Sequence, residues 1–162
     1  MRNDQTGEGF VYAMRSTNPA NSNEFKVGLT IDPELRRRTL SGTASAFPFA
    51  FERVWAVTNM ALAEDVAHRM LHDHRINDDR EHFYIIPMES REALFGTVWH
   101  DPTDDEVDVC LDVLLDRIES MFTFSESLGW YDVDPGKLHG YYRDRRALSR
   151  GKPGAAPLEP LF

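Results

Sequence analysis

The sequence predicts an α/β fold: a small, mainly antiparallel β-sheet flanked by helices, with a helical C-terminal extension. Two observations carry that expectation. Short runs rich in β-branched and aromatic residues, at 9–15, 25–30, 49–57 and 81–86, are interleaved with stretches of helical apolar spacing. A chain of 162 residues with 41% hydrophobic side chains also suffices for one core with an appendage.

The elements follow in order. GFVYAMR, residues 9–15, is the first strand. STNPANSNE is a polar loop, and FKVGLT, residues 25–30, completes a hairpin with a long connection. Asp32 can cap a helix, Pro33 suits its first turn, and Gly42 can stop it after Ser41. FAFERVWAV, residues 49–57, is the third strand. A helix from Asn59 to Arg75 follows, because Ala63, Val66, Ala67, Met70 and Leu71 recur at helical spacing. EHFYII, residues 81–86, is a fourth strand ended by Pro87, and SREALFGTVWH, residues 90–100, is a short helix. Thr103-Asp104-Asp105-Glu106 is a capping box for a helix to Phe122, with Val107, Cys110, Leu111, Leu114, Ile118 and Met121 as its stripe. From Ala147 the chain mixes Gly, Pro and Ala without periodicity and is expected to be flexible. The expected division is 8–88 for the main domain, 89–146 for the helical extension and 147–162 for the tail.

Composition narrows the class. No apolar run approaches the ~20 residues of a membrane span, so no membrane role is expected. The N-terminus lacks an apolar signal core, and the single cysteine, Cys110, excludes an intramolecular disulfide; a cytoplasmic setting is expected. The net charge of −9 is unevenly spread. Residues 1–100 hold 11 Lys/Arg and 14 Asp/Glu, a net of −3, while residues 101–136 hold one Arg and 11 acids, a net of −10. Residues 137–162 hold six Lys/Arg and two acids, a net of +4. A local basic surface can therefore survive in the first hundred residues.

Five pieces in this order resemble the GIY-YIG endonuclease superfamily, and within it the phage-type branch called T5orf172 or MUG113. They are Gly9-Phe10-Val11-Tyr12; Lys26-Val27-Gly28-Leu29-Thr30; Asp32-Pro33 with Arg36 and Leu40; Ala63-Glu64 with His68; and Glu81 with Phe83. The resemblance covers residues 8–86. It departs from the superfamily at Lys26, where the second signature triplet has tyrosine, and from the branch at Ser41, where asparagine is usual. It implies metal-dependent hydrolysis of DNA phosphodiesters, with Mg²⁺ or Mn²⁺ as cofactor. Tyr12 would then help activate water, Lys26 and Arg36 would stabilise phosphate charge, Glu64 would hold the metal with Glu81 as the rival ligand, and His68 would assist with protons or orientation.

The residues suit such chemistry in part. A phenol, with its pKa near ~10, needs a neighbouring cation to act as a base, and Lys26 is one strand over. Arg36 offers phosphate a planar fork of donors, whereas Arg37 and Arg38 point about 100° and 200° further round the helix and would grip flanking backbone. Glu64 and His68 are neighbours on one helix face. Each has an ordinary alternative: a core tyrosine, a solvated arginine face, a surface i,i+4 pair. HRMLHDHR invites a zinc reading, but His72 and His74 lie about 200° apart and no cysteine is near.

Near the C-terminus, Trp130, Tyr131, Tyr141 and Tyr142 interleave with Lys137, Arg143, Arg145 and Arg146. That pattern suits either an accessory nucleic-acid arm or a packing extension with a basic tail. The acidic helix 104–122 is a candidate face for a homodimer or a protein partner, or simply a solvated face. The functional expectation is a DNA endonuclease, with RNA still open as substrate. The alternative is a catalytically silent nucleic-acid-binding or protein-interaction module on the same fold.

Overall fold

The computed structural model describes residues 7–42, 46–77, 81–88 and 100–137. Five strands form one antiparallel sheet: β1 (Gly9–Ser16), β2 (Glu24–Thr30), β3 (Phe49–Val57), β4 (His82–Tyr84) and β5 (Trp130–Val133), in the order β4-β2-β1-β3-β5. Among the described residues three α-helices flank it: α1 (Pro33–Ser41), α2 (Met60–Met70) and α3 (Asp104–Phe124). This is the expected α/β class.

Alternation along the strands sorts side chains onto two faces. Val11, Ala13, Phe25, Val27, Trp55 and Val57 form one core with Met60, Ala63 and Ala67 of α2 and with Val107, Leu111, Leu114, Leu115, Ile118 and Phe122 of α3. Trp55 anchors it: its indole N–H donates to Glu119 Oε1 at 2.9 Å, and its ring meets Phe122 edge-on at 5.5 Å. On the opposite face Phe10, Tyr12, Met14, Val54 and Ala56 pack under Leu40 of α1, with Phe49, Phe51 and Val133 beside them.

The caps of α1 and α3 are as the sequence dictates. Asp32 accepts from the Leu35 N–H at 3.1 Å, Pro33 opens the helix, and Gly42, at φ 68°, donates to the Arg38 carbonyl. Thr103 and Glu106 exchange their hydrogen bonds as a capping box.

Four expectations need correction. The second helix ends at Met70, not Arg75, because a 3₁₀ turn over His72–His74 swings Arg75 beside Phe83. The fourth strand is His82–Tyr84 rather than 81–86: Ile85 and Ile86 donate instead to the carbonyl and side chain of Asn23, which draws the chain out of the ladder. In α3, Met121 is exposed and Cys110 half-buried, while Leu115 and Phe122 take the core positions toward the sheet. The region beyond residue 88 is not purely helical, since Trp130–Val133 adds β5 to the edge of β3. The short helix expected at 90–100, apart from His100 at its end, and the tail from Ala147 lie outside the described residues.

Candidate active site

The register of β1 and β2 sets the centre of the site. Tyr12 lies opposite Gly28, and Met14 opposite Lys26, so the Tyr12 ring crosses the face of Gly28. A Cβ at position 28 would come within 2.5 Å of Tyr12 Oη and 2.8 Å of Cζ; glycine there is a steric requirement of the buried phenol. Tyr12 is 1% exposed. Its hydroxyl accepts a hydrogen bond from Arg36 Nε of α1 at 3.3 Å. Burial raises the phenol's pKa, and the Arg36 bond and charge offset this only in part, so Tyr12 is held protonated. Arg36, whose pKa is raised first by the Tyr12 hydroxyl, stays charged and half-exposed.

The second half of the site lies at the free edge of β2. Strand β4 pairs with β2 only from Glu24 to Lys26, and the Val27 N–H finds the Glu81 carbonyl at 2.9 Å. Beyond that, α2 takes the place of a strand. His68 Nε2 donates to the Val27 carbonyl at 3.0 Å, and the Leu29 N–H bonds the Glu64 carboxylate. The i,i+4 spacing of Glu64 and His68 thus serves two backbone groups two residues apart on one strand. His68 is buried, with its ring against Phe83 at 5.2 Å. Glu64 is half-buried. Burial raises its pKa, the Glu81 charge raises it further, and His68, Lys26 and the Leu29 N–H pull it down.

Lys26 is buried, 3% exposed, and forms an ion pair with Glu81. The Glu81 charge also acts on Tyr12 and Arg36. Tyr12, Lys26, Arg36, Glu64, His68 and Glu81 therefore converge at one end of the sheet, drawn from β1, β2, α1, α2 and the approach to β4. Arg37 and Arg38 do not join them: Arg37 is tied to Glu34 at 3.0 Å, and Arg38 is exposed. Arg143, Arg145 and Arg146 lie outside the described residues. Trp130 is partly buried against the core beside Phe122, as a packing residue.

Sequence reasoning missed the cradle role of Gly28, the service of His68 and Glu64 to the β2 edge, and the Lys26–Glu81 pair. Only the first had a local signal, a glycine in mid-strand.

A family model described as the T5orf172 domain matches residues 9–98. No curated protein and no solved structure matches the chain significantly. The matched span contains β1 to β4, α1, α2 and all six converging side chains, and at a coarse level the family is nuclease-like and DNA-related. The chain belongs to the T5orf172 domain family.

Proposed function

We propose that this protein is a metal-dependent endonuclease of GIY-YIG type that hydrolyses DNA phosphodiesters. One observation carries the reading: a phenol, a guanidinium, an ammonium and two carboxylates, spread over some seventy positions of sequence, meet at one end of the sheet.

Arg36 is the phosphate-binding group, because Tyr12 fixes its Nε and leaves the outer nitrogens of the fork for phosphate oxygens. Tyr12, held as a phenol, orients the attacking water or a phosphate oxygen by hydrogen bonding and gains basicity only when positive charge beside it increases. Lys26 adds positive charge one strand away.

Among the described residues no three His, Cys, Asp or Glu side chains gather as a cage. Two carboxylates within electrostatic reach of each other, one of them half-desolvated, nevertheless fit Mg²⁺ or Mn²⁺, which need one or two carboxylates with water and phosphate completing the shell. Glu64 is the ligand assigned here. A bound ion would supply charge stabilisation at the phosphorus and at the leaving oxygen. His68 positions Glu64's helix against β2 through the Val27 carbonyl.

The test uses the full chain with supercoiled plasmid and single-stranded DNA or RNA, in Mg²⁺, Mn²⁺ or EDTA. Metal-dependent nicking that is lost in Arg36→Ala and in Glu64→Ala is the expected result. Binding without cleavage under every metal condition overturns the enzyme in favour of a silent binding module.

A further inference from the structure

The Lys26–Glu81 pair raises a point that the metal assignment alone does not answer. Lys26 stands in mid-strand with 3% of its surface exposed, while the Glu81 side chain keeps 43% of its own. A buried ammonium without a counter-charge is costly, and removing one partner of such a pair strands the other. A carboxylate shared with a metal ion would neutralise the buried Lys26 less well than one committed to it. Glu64, by contrast, has its own anchor in the Leu29 N–H and, among the described residues, makes no salt bridge, feeling the His68 and Lys26 charges only at longer range.

We propose that Glu81 is a positioning residue for Lys26 rather than a metal ligand: it holds the buried ammonium in place at the edge of β2, and the metal rests on Glu64. The backbone enforces the pairing. The Val27 N–H to Glu81 carbonyl bond and the Lys26–His82 register bring residue 81 alongside residue 26 whatever its side chain. The ammonium then stands at the point where β2 loses its strand partner and α2 takes over. Lysine at position 26 and an acid at position 81 thus act as one unit. The catalytic meaning of that unit rests on the nuclease reading, but the pair itself does not.

The experiment has two readouts, neither of them cleavage. The first is the ¹⁵N signal of the Lys26 ammonium in lysine-labelled protein, assigned by its disappearance in Lys26→Met. The second is Mn²⁺ affinity by calorimetry. Glu81→Gln should shift the Lys26 signal and leave Mn²⁺ affinity within about twofold. Glu64→Gln should weaken Mn²⁺ binding by tenfold or more and leave the Lys26 signal in place. Should Glu81→Gln fail to fold, the uncharged double variant Lys26→Met/Glu81→Gln should fold and bind Mn²⁺ as the parent does. Loss of Mn²⁺ binding in Glu81→Gln or in the double variant, or an unmoved Lys26 signal, overturns the proposal. A parent protein that binds no Mn²⁺ removes the metal-dependent reading, while the ammonium signal still decides the pair.

Discussion

Tyr12 and Gly28 illustrate how a single register position fixes chemistry. The phenol is buried across a residue that has no side chain, and its hydroxyl meets the Arg36 guanidinium. Gly28→Ala should displace the Tyr12 ring, costing about 1–3 kcal/mol for overpacking in thermal unfolding. Cleavage should fall further than stability alone explains, because the shifted hydroxyl loses Arg36; unchanged cleavage would show that the ring can move without consequence. Glu64 gives a pH signature. Its folded pKa lies above the ordinary 4.5, first because of burial and then because of the Glu81 charge. The folded protein therefore holds this proton more tightly than the unfolded chain, so Glu64 adds stability as pH falls through the interval from its raised folded value toward 4.5. In Glu64→Gln that contribution should vanish, with unfolding midpoints across this interval showing a smaller gain, or a steeper loss, on acidification than the parent. At this scale the sequence was informative through its family resemblance, which named Tyr12, Lys26, Arg36, Glu64, His68 and Glu81; residue type alone left each with an ordinary alternative. What each side chain touches was hidden, because the contacts join residues as far apart as Lys26 and Glu81.

The element that most depends on such distant contacts is β2. Its edge is covered by two different structures, three residues of β4 and then the polar face of α2. Helix α2 is therefore bound to the sheet by hydrogen bonds as well as by Ala63 and Ala67, and the candidate metal ligand is fixed to the strand that carries Lys26. His68→Leu should leave the buried Val27 carbonyl unpaired, a loss of about 1–3 kcal/mol in urea unfolding. His68→Gln can still donate to that carbonyl and should recover part of the loss; equal losses in both variants would mean that ring packing on Phe83, not the hydrogen bond, is what matters. The legibility of elements follows the same division. Helix α1 could be read because its signals, Asp32, Pro33 and Gly42, are local. The early end of α2, the brevity of β4 and the existence of β5 could not, because each is decided by pairing with a distant partner: Phe83 for Arg75, Asn23 for Ile85, and β3 for Trp130–Val133.

Across the whole molecule, charge is segregated by the sheet. The acids of α3 lie on the face opposite α1, and several are answered there: Asp108 by Arg15 at 2.9 Å, and Asp116 and Glu119 by Arg53 at 2.8 and 3.0 Å. The net charge of −9 is thus concentrated away from Arg36. Among the described residues, the cations of α1 that a duplex bound at the candidate site would meet are Arg36, the Glu34-tied Arg37 and the exposed Arg38, while Lys26 is buried. Each neutralised phosphate contributes a slope of about −0.9 to log K against log salt concentration. Those three arginines alone therefore predict a slope of roughly −2 to −3. If Arg143, Arg145 and Arg146 form an accessory arm, the full chain should instead show roughly −5, and the triple alanine variant should fall back by about 2–3. We expect the steeper value, because residues 137–162, with six Lys/Arg and two acids, carry a net charge of +4. The measurement is a salt titration of DNA binding in EDTA, which suppresses cleavage. Equal slopes in parent and triple variant would remove the C-terminal arginines from the nucleic-acid interface and leave α1 as its cationic element.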